Sequence, residues 1–385
     1  MTDMREKRMA LAVKRMQEEG LDAVIFATGA NFQYLLDWNE FYWQRTCMNN
    51  IAGQSSSLTV PDALLYLAAD GSYKVCLTPF SAQRAPKDEN IVISYMDQFE
   101  DTLSRFVTGK RIGIGFNCAD FIREALDTIL TEPEYVDAEH LMAYVRCFKD
   151  EKEIEILRGM AKFTDDAVQY CIDNLHEGVS SWQAEQYLMD YGFQNGCSDF
   201  SFPPTAGFKT RMTKRAETSH DFSRDDVLVP GTAIAFDVGF MNNGYCSDWG
   251  RTVYWGKASD FIKNGYAALQ AGQQHMIDTI VPGKTNINEL YGFVLEKATE
   301  LGYGDYLLYQ DLGSLGHQIG IDCHEHPMLN NGVDFVLQPG MVFCSEPKMF
   351  FKDECYMRVE DMVLVTETGA ESLTKFPRDL FEIGG

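Results

Sequence analysis

Two rhythms of hydrophobic and polar positions divide this chain. Over residues 1–137 short apolar runs alternate with helical stretches. The charged segment 2–20 ends in K-R-M-Q-E-E-G and predicts a helix that Gly20 closes in the left-handed conformation. D-A-V-I-F-A-T (22–28) is an unbroken apolar run and predicts a buried strand, with a second helix beginning over 31–36. The runs 63–69 and 74–79 flank Asp70-Gly71, a hairpin signal. Residues 111–115 predict a strand feeding a helix at 120–130, and 134–137 a further short strand. Strands interleaved with helices in this way make a small α/β domain.

A charge-rich run, F-K-D-E-K-E-I-E-I-L (148–157), starts a long helix and sets the domain boundary near residue 150. The division is therefore 1–150 and 151–385, which also suits a length of 385 residues, more than one core usually supports. Helices are expected at about 151–175 and 181–193, then a loop-rich stretch over 195–224. Paired strands after it bracket a helix near 286–301.

The most informative polar positions interrupt apolar strands. In D-V-G-F-M-N-N-G-Y-C-S-D-W-G-R-T (237–252), Asn243-Gly244 predicts a two-residue hairpin turn, with Asn242 facing Tyr245. That register sets Asp237 opposite Gly250 and puts Asp248 on the same face, diagonal to Asp237. Two carboxylates on an apolar hairpin call for a cation. Strand parity turns Arg251 away from both. In C-S-E-P-K-M-F-F-K-D-E-C-Y-M-R-V-E-D (344–361), a loop at 352–354 sets Phe351 against Cys355 and Glu346 opposite Glu360. Like charges directly opposed again demand positive charge between them. Arg358 shares the face of Glu360.

Three of the seven histidines fall within L-G-H-Q-I-G-I-D-C-H-E-H-P (315–327). His317 and His324 do not share one strand face by parity, so at least one has a role other than ligation, and His326 is read as a core histidine. Four carboxylates and an imidazole form a hard, oxygen-rich donor set suited to Mn²⁺, Co²⁺, Fe²⁺ or Zn²⁺. Cys246 and Cys344 are read as packing residues turned away from the metals. The bland alternative is a pair of acidic surface hairpins, which the apolar flanks A-I-A-F, M-V-F-C and M-V-L-V fit poorly.

Charge and cysteine usage narrow the picture further. A net charge of −24 argues against a nucleic-acid or anionic-membrane surface. No segment reads as a signal peptide and no run of about 18 apolar residues occurs. Ten scattered cysteines without a C-x-x-C pair are expected as reduced thiols, which places the chain in the cytoplasm.

Over roughly 155–378 these motifs, in this order, resemble the pita-bread metallopeptidases (family M24), which include methionine aminopeptidase, aminopeptidase P, prolidase and the metal-free creatinase. The resemblance implies an α/β creatinase-like N-terminal domain (1–150) and a pita-bread α+β catalytic domain (151–385). It also implies metal ligands at Asp237, Asp248, His317, Glu346 and Glu360, holding two divalent ions with Mn the first choice and Co, Zn or Fe the others. His220 matches a histidine at the mouth of the active site, His324 one that contacts the scissile amide, and Arg358 an arginine beside the last ligand. The implied activity is hydrolysis of an Xaa-Pro bond in a dipeptide or short peptide by a metal-bridging hydroxide, with Glu346 as proton shuttle. A homodimer is implied as well, with the aromatics Trp38, Phe41, Tyr42 and Trp43 either walling a pocket or packing in a core or interface.

Departures keep other readings open. Gly313 stands where prolidases usually carry a histidine, and Gln318 where glycine is common. The stretches 38–50 and 195–220, with Lys209, Arg211, Lys214 and Arg215, differ from the usual pattern, and G-A-E-S-L-T-K-F-P resembles the creatinase ending. The alternatives are an ectoine-hydrolase-like enzyme acting on small cyclic or N-substituted amides, a lyase using the same metals, and a non-catalytic binding relative.

Overall fold

The computed structural model describes residues 2–39, 50–51, 60–95, 97–210, 222–351 and 354–384. The chain divides into two compact units, Met1–Arg146 and Cys147–Gly385.

In the first unit a six-stranded sheet runs in the order Ile91–Ile93, Tyr73–Leu77, Ala63–Ala68, Ala23–Ala27, Arg111–Ile114, Glu134–Asp137. Its central strand, Ala23–Ala27, is buried along its whole length, as its uninterrupted apolar run requires. That strand pairs antiparallel with Ala63–Ala68 and parallel with Arg111–Ile114. Helix Asp120–Ile129 presses Ile122, Ala125 and Leu126 into the core beneath. Trp38 is buried here, its ring edge-on to Phe32 at 5.7 Å. Phe41, Tyr42, Trp43 and Cys47 lie outside the described residues.

The second unit opens with helix Glu151–Asn174. Asp150 starts it with a reciprocal capping box: its carboxylate accepts from the Glu153 N–H while the Glu153 carboxylate accepts from the Asp150 N–H. The main sheet then orders its strands Thr205–Lys209, Thr232–Val238, Trp249–Trp255, Cys355–Val365, Val342–Ser345, Gly316–Gln318, Glu325–Leu329, each pair antiparallel. On Thr232–Val238, Ile234, Phe236 and Val238 pack into a cluster with Val168, Ala184 and Leu188 of helices Glu151–Asn174 and Ser181–Gln194. Strand alternation leaves Asp237 on the opposite face.

Two features differ from the sequence expectation. The stretch 195–224 is not all loop, because Thr205–Lys209 forms the sheet's outer strand against Thr232–Val238. A 20-residue helix, Asp260–Thr279, precedes the helix Leu290–Glu300 and packs against it. The nine described cysteines are all free, and no described helix is long and apolar enough to cross a membrane.

Candidate metal centre

Asn243 and Gly244 both adopt positive φ (50° and 79°), and Asn242 faces Tyr245, the geometry of a two-residue hairpin turn. The register carries down the hairpin, so Asp237 faces Gly250. Gly250 in turn faces Glu360 on the next strand. Two carboxylates thus flank one glycine across three adjacent strands. A Cβ on Gly250 would lie 2.1 Å from Arg358 Cδ and 2.7 Å from Glu360 Oε2, so only glycine leaves room for these side chains.

The second hairpin has the register expected of it. Phe351 faces Cys355, Lys348 faces Arg358, and across the adjoining ladder Ser345 faces Asp361. Glu346 falls between these two ladders, opposite Glu360 in the common register. Lys352 and Asp353 lie outside the described residues. Arg251 points to the other side of the sheet, where its guanidinium meets Asp361 at 2.5 Å. Arg378 holds the other oxygen of Asp361. This buried ion pair fixes the strand backbone next to Glu360, since Arg251 also donates to the Glu360 carbonyl at 2.5 Å.

His317 sits on the short strand Gly316–Gln318, across from Cys344. Its Nδ1 lies 3.0 Å from the Gln318 carbonyl, which can take the proton of that nitrogen and leave Nε2, 3.4 Å from Asp248 Oδ2, to face the carboxylates. Donor atoms of Asp248, His317, Cys344 and Glu360 all lie within 4.8 Å of one another, and all four residues are buried. A second grouping shares Asp248 and adds Cys323 and His324. Cys323 donates its S–H to Asp248 Oδ2 at 3.2 Å.

Charge is poorly compensated inside the four-donor cluster. Asp248 Oδ1 and Glu360 Oε1 are buried and find no hydrogen-bond partner among the described residues. Burial, then the charges of Asp248 and Glu346, push the Glu360 carboxyl well above the usual range. Burial also raises Asp248, but the hydrogen bond and charge of His317 outweigh it and hold that carboxyl below normal. Carboxylates with orphaned oxygens, gathered with an imidazole nitrogen in one buried donor cluster, suit a divalent cation, so the residues fit a metal.

The remaining two carboxylates are held differently. Asp237 is bound by the Arg358 guanidinium at 2.5 Å, and Arg358 also reaches Glu360 at 3.4 Å and Glu346 at 4.0 Å. Glu346 is ion-paired to Lys348. Asp237 and Arg358 help line a cavity of about 310 Å³, whose walls also include Phe222, Tyr356, Thr205, Gly207, Glu185 and Arg224.

His324 stands at the edge of the site with its ring centroid 4.1 Å from that of His317. The protein around it and the neighbouring His317 hold its pKa below the ordinary histidine range. His326 is exposed on strand Glu325–Leu329 and is not the core histidine expected of it. His220, Arg211, Lys214 and Arg215 lie outside the described residues, whereas Lys209 is buried with its ammonium over the Phe350 ring. Cys246 is a packing residue that donates to the Ile321 carbonyl at 3.3 Å. Cys344 is not turned away: its sulfur belongs to the donor cluster. Its even spacing from Glu346 was the available signal. Lys348, two residues beyond Glu346, shares that face and stands opposite Arg358.

The profile of metallopeptidase family M24 matches residues 155–367. An Xaa-Pro dipeptidase of Lactobacillus delbrueckii subsp. lactis is 32% identical over 245 residues, 63% of this chain, and the chain spans 64% of that protein's length. An Xaa-Pro dipeptidase of Pyrococcus furiosus is 26% identical over 379 residues, covering 97% of this chain and 99% of that one. Among solved structures, a dipeptidase from Pyrococcus horikoshii superposes with a TM-score of 0.83 at 20% identity, covering 98% of this chain and 100% of that one. The Xaa-Pro dipeptidase from Bacillus anthracis gives 0.80 at 22% identity, with 98% and 100% covered. These likenesses show a two-domain α/β architecture whose C-terminal sheet curls into the half-barrel of the pita-bread fold.

Proposed function

Since the chain belongs to metallopeptidase family M24, we propose that it is a metal-dependent hydrolase of the Xaa-Pro bond in dipeptides or short peptides. The observation that carries the reading is the buried cluster of Asp248, His317 and Glu360 with two orphaned carboxylate oxygens, in a chain whose relatives are named as Xaa-Pro dipeptidases. In this reading Asp237, Asp248, His317, Glu346 and Glu360 hold two divalent ions, and the predominance of oxygen donors favours manganese. Bound there, the ions supply Lewis-acid polarisation and a water acidic enough to ionise near neutral pH.

The protein groups do the rest. Glu346, less deeply buried than Glu360, accepts the water's proton and passes it to the leaving nitrogen. His324 is neutral at pH 7, since its pKa is held low, and donates one N–H to the carbonyl oxygen as negative charge develops there. Arg358 orders the carboxylates and faces the cavity beside Asp237, where the aromatic walls of Phe222 and Tyr356 suit an apolar substrate side chain. His220 keeps the substrate-positioning role that the family resemblance implies for it. Residues 1–150 serve as the creatinase-like domain of a cytoplasmic homodimer.

One observation favours a second reading, hydrolysis of small non-peptide amides. Gly313 has φ 52°, and a Cβ there would lie 2.0 Å from Asn331 Oδ1. The position cannot take a histidine without displacing Asn331, so it adds no donor to the site.

Metal content by mass spectrometry, measured beside turnover of an Xaa-Pro dipeptide panel and of proline-free cyclic amides, separates these readings. Bound Mn, Co, Fe or Zn with Xaa-Pro turnover is the expected result. Metal with turnover of the cyclic amides alone moves the assignment to the second reading. No bound metal after supplementation overturns both.

A further inference from the structure

Cys344 occupies a place that hard-metal chemistry leaves unexplained. It sits on strand Val342–Ser345, directly across from His317 on one side and Met362 on the other. Its neighbour Phe343 packs into the hydrophobic core, so strand alternation turns Cys344 to the carboxylate face. There its sulfur lies within 4.8 Å of donor atoms of Asp248, His317 and Glu360, which lie equally close to one another. Two donors bound at about 2.0–2.3 Å to one ion stand up to about 4.6 Å apart across it. The four atoms are therefore spaced as one coordination shell, with only a slight contraction needed. Independently of the sulfur, Asp248 and Glu360 each bring a buried oxygen that finds no hydrogen-bond partner among the described residues, which calls for a cation between them.

Two further thiols come near this centre and are held differently. Cys246 donates its S–H to the Ile321 carbonyl at 3.3 Å and belongs to neither donor grouping. Cys323 donates to Asp248 Oδ2 at 3.2 Å and belongs with His324 to the grouping at the edge of the site. Among the described residues, Cys344 is the thiol gathered with His317 and Glu360. A polarisable sulfur adds little to the binding of Mn²⁺, which prefers oxygen donors, and adds much to that of a softer ion.

We propose that Cys344 is a sulfur ligand of the ion held by Asp248, His317 and Glu360, engaged by thiophilic divalent ions such as Co²⁺, Zn²⁺ and Cd²⁺ and bypassed by Mn²⁺. This rests on the metallohydrolase reading. The thiol proton passes to the buffer as the sulfur–metal bond forms. The donor set of the centre thus changes with the ion it receives. Thiophilic ions gain affinity relative to Mn²⁺ that carboxylates and imidazole alone would not give them.

Absorption spectroscopy of the metal-free full-length protein given one equivalent of Co²⁺ tests it, in the wild type and in Cys344→Ser, Cys344→Ala, Cys323→Ala and Cys246→Ala. A sulfur-to-cobalt charge-transfer band should appear in the wild type and persist in Cys323→Ala and Cys246→Ala. It should vanish in both Cys344 variants while elemental analysis finds the ion still bound. Calorimetric titration with Cd²⁺ and with Mn²⁺ gives a second readout. Cys344→Ser should weaken Cd²⁺ binding by about tenfold or more, since even the loss of an outer-shell partner can cost that much, and leave Mn²⁺ nearly unchanged. Circular dichroism of each metal-free variant checks folding, and Ala serves if Ser does not fold. Bound Co²⁺ without the band in the wild type overturns the inference while leaving the metal centre intact. So does a band that survives in the Cys344 variants, or an equal loss of Cd²⁺ and Mn²⁺ affinity. If the wild type binds none of the three ions, the metallohydrolase reading fails, and this inference fails with it.

Discussion

Asp237 and Glu360 face each other across Gly250, one strand to each side of it. The missing Cβ gives Arg358 its path between the two carboxylates. Gly250→Ala should therefore push Arg358 or Glu360 out of place. The expected cost is about 1–3 kcal/mol of stability, with a marked loss of metal affinity. Urea unfolding and a metal titration on the same sample check both. A variant with wild-type stability and affinity would show that the strands have slack that the contact distances deny.

Metal uptake should release protons. Glu360 has its pKa raised well above the ordinary carboxylate range by burial and by Asp248 and Glu346. A raised carboxyl pKa contributes stability that is complete below the unfolded value, about 4.3, and is lost as pH rises through the folded value. The metal-free protein should therefore weaken with rising pH through that window, and a bound cation should abolish the effect. Titrations in two buffers of different ionisation enthalpy measure the proton count directly. Identical heats in both would refute it.

Much of this centre is legible in the sequence. Asn243-Gly244 and the short loop after Phe351 each fix a hairpin register, and register alone aligns Asp237 with Gly250 and Glu346 with Glu360. Cys344 was legible too, because its even spacing from Glu346 puts it on the carboxylate face, where its sulfur joins the donor cluster. What was not legible was disguised. Helix Asp260–Thr279 carries a clean apolar stripe at Ile262, Tyr266, Leu269 and Met276 after the Ser259 cap. Gly265 and Gly272, each costing about 1 kcal/mol in a helix, masked it. The structure shows their purpose, since a Cβ at Gly265 would lie 2.4 Å from Phe351 Cζ and one at Gly272 would lie 3.0 Å from Val294.

Behind the carboxylates, the clamp of Arg251 and Arg378 on Asp361 should govern the acid stability of the second unit. Asp361 is fully buried, and although burial raises its carboxyl, the two guanidinium groups outweigh it and hold the pKa below normal. A depressed carboxyl contributes stability that is present above its unfolded pKa, about 3.9, and is lost as pH falls through the folded value. Asp361→Asn leaves Arg251 buried without its countercharge and should cost about 3–5 kcal/mol at neutral pH. The variant should also show a flatter decline in acid. Chemical unfolding of both proteins from pH 7 down to pH 3 decides the point, and parallel curves would rule it out.

Glu346 and Glu360 oppose each other in register yet should fail differently when neutralised. Glu360 is 1% exposed, with one oxygen orphaned inside the donor cluster, so Glu360→Gln removes a ligand that the His317 subsite cannot replace. Glu346 lies outside that cluster on Lys348, so Glu346→Gln should keep the ion bound by Asp248, His317 and Glu360. Turnover of an Xaa-Pro dipeptide should nevertheless fall by about 100-fold or more, because an amide cannot carry the proton. Elemental analysis beside the hydrolysis assay separates the two outcomes: metal lost in one variant, metal kept and turnover lost in the other. Equal metal loss in both would make Glu346 a ligand of the first ion and remove the distinction between holding the cation and moving the proton.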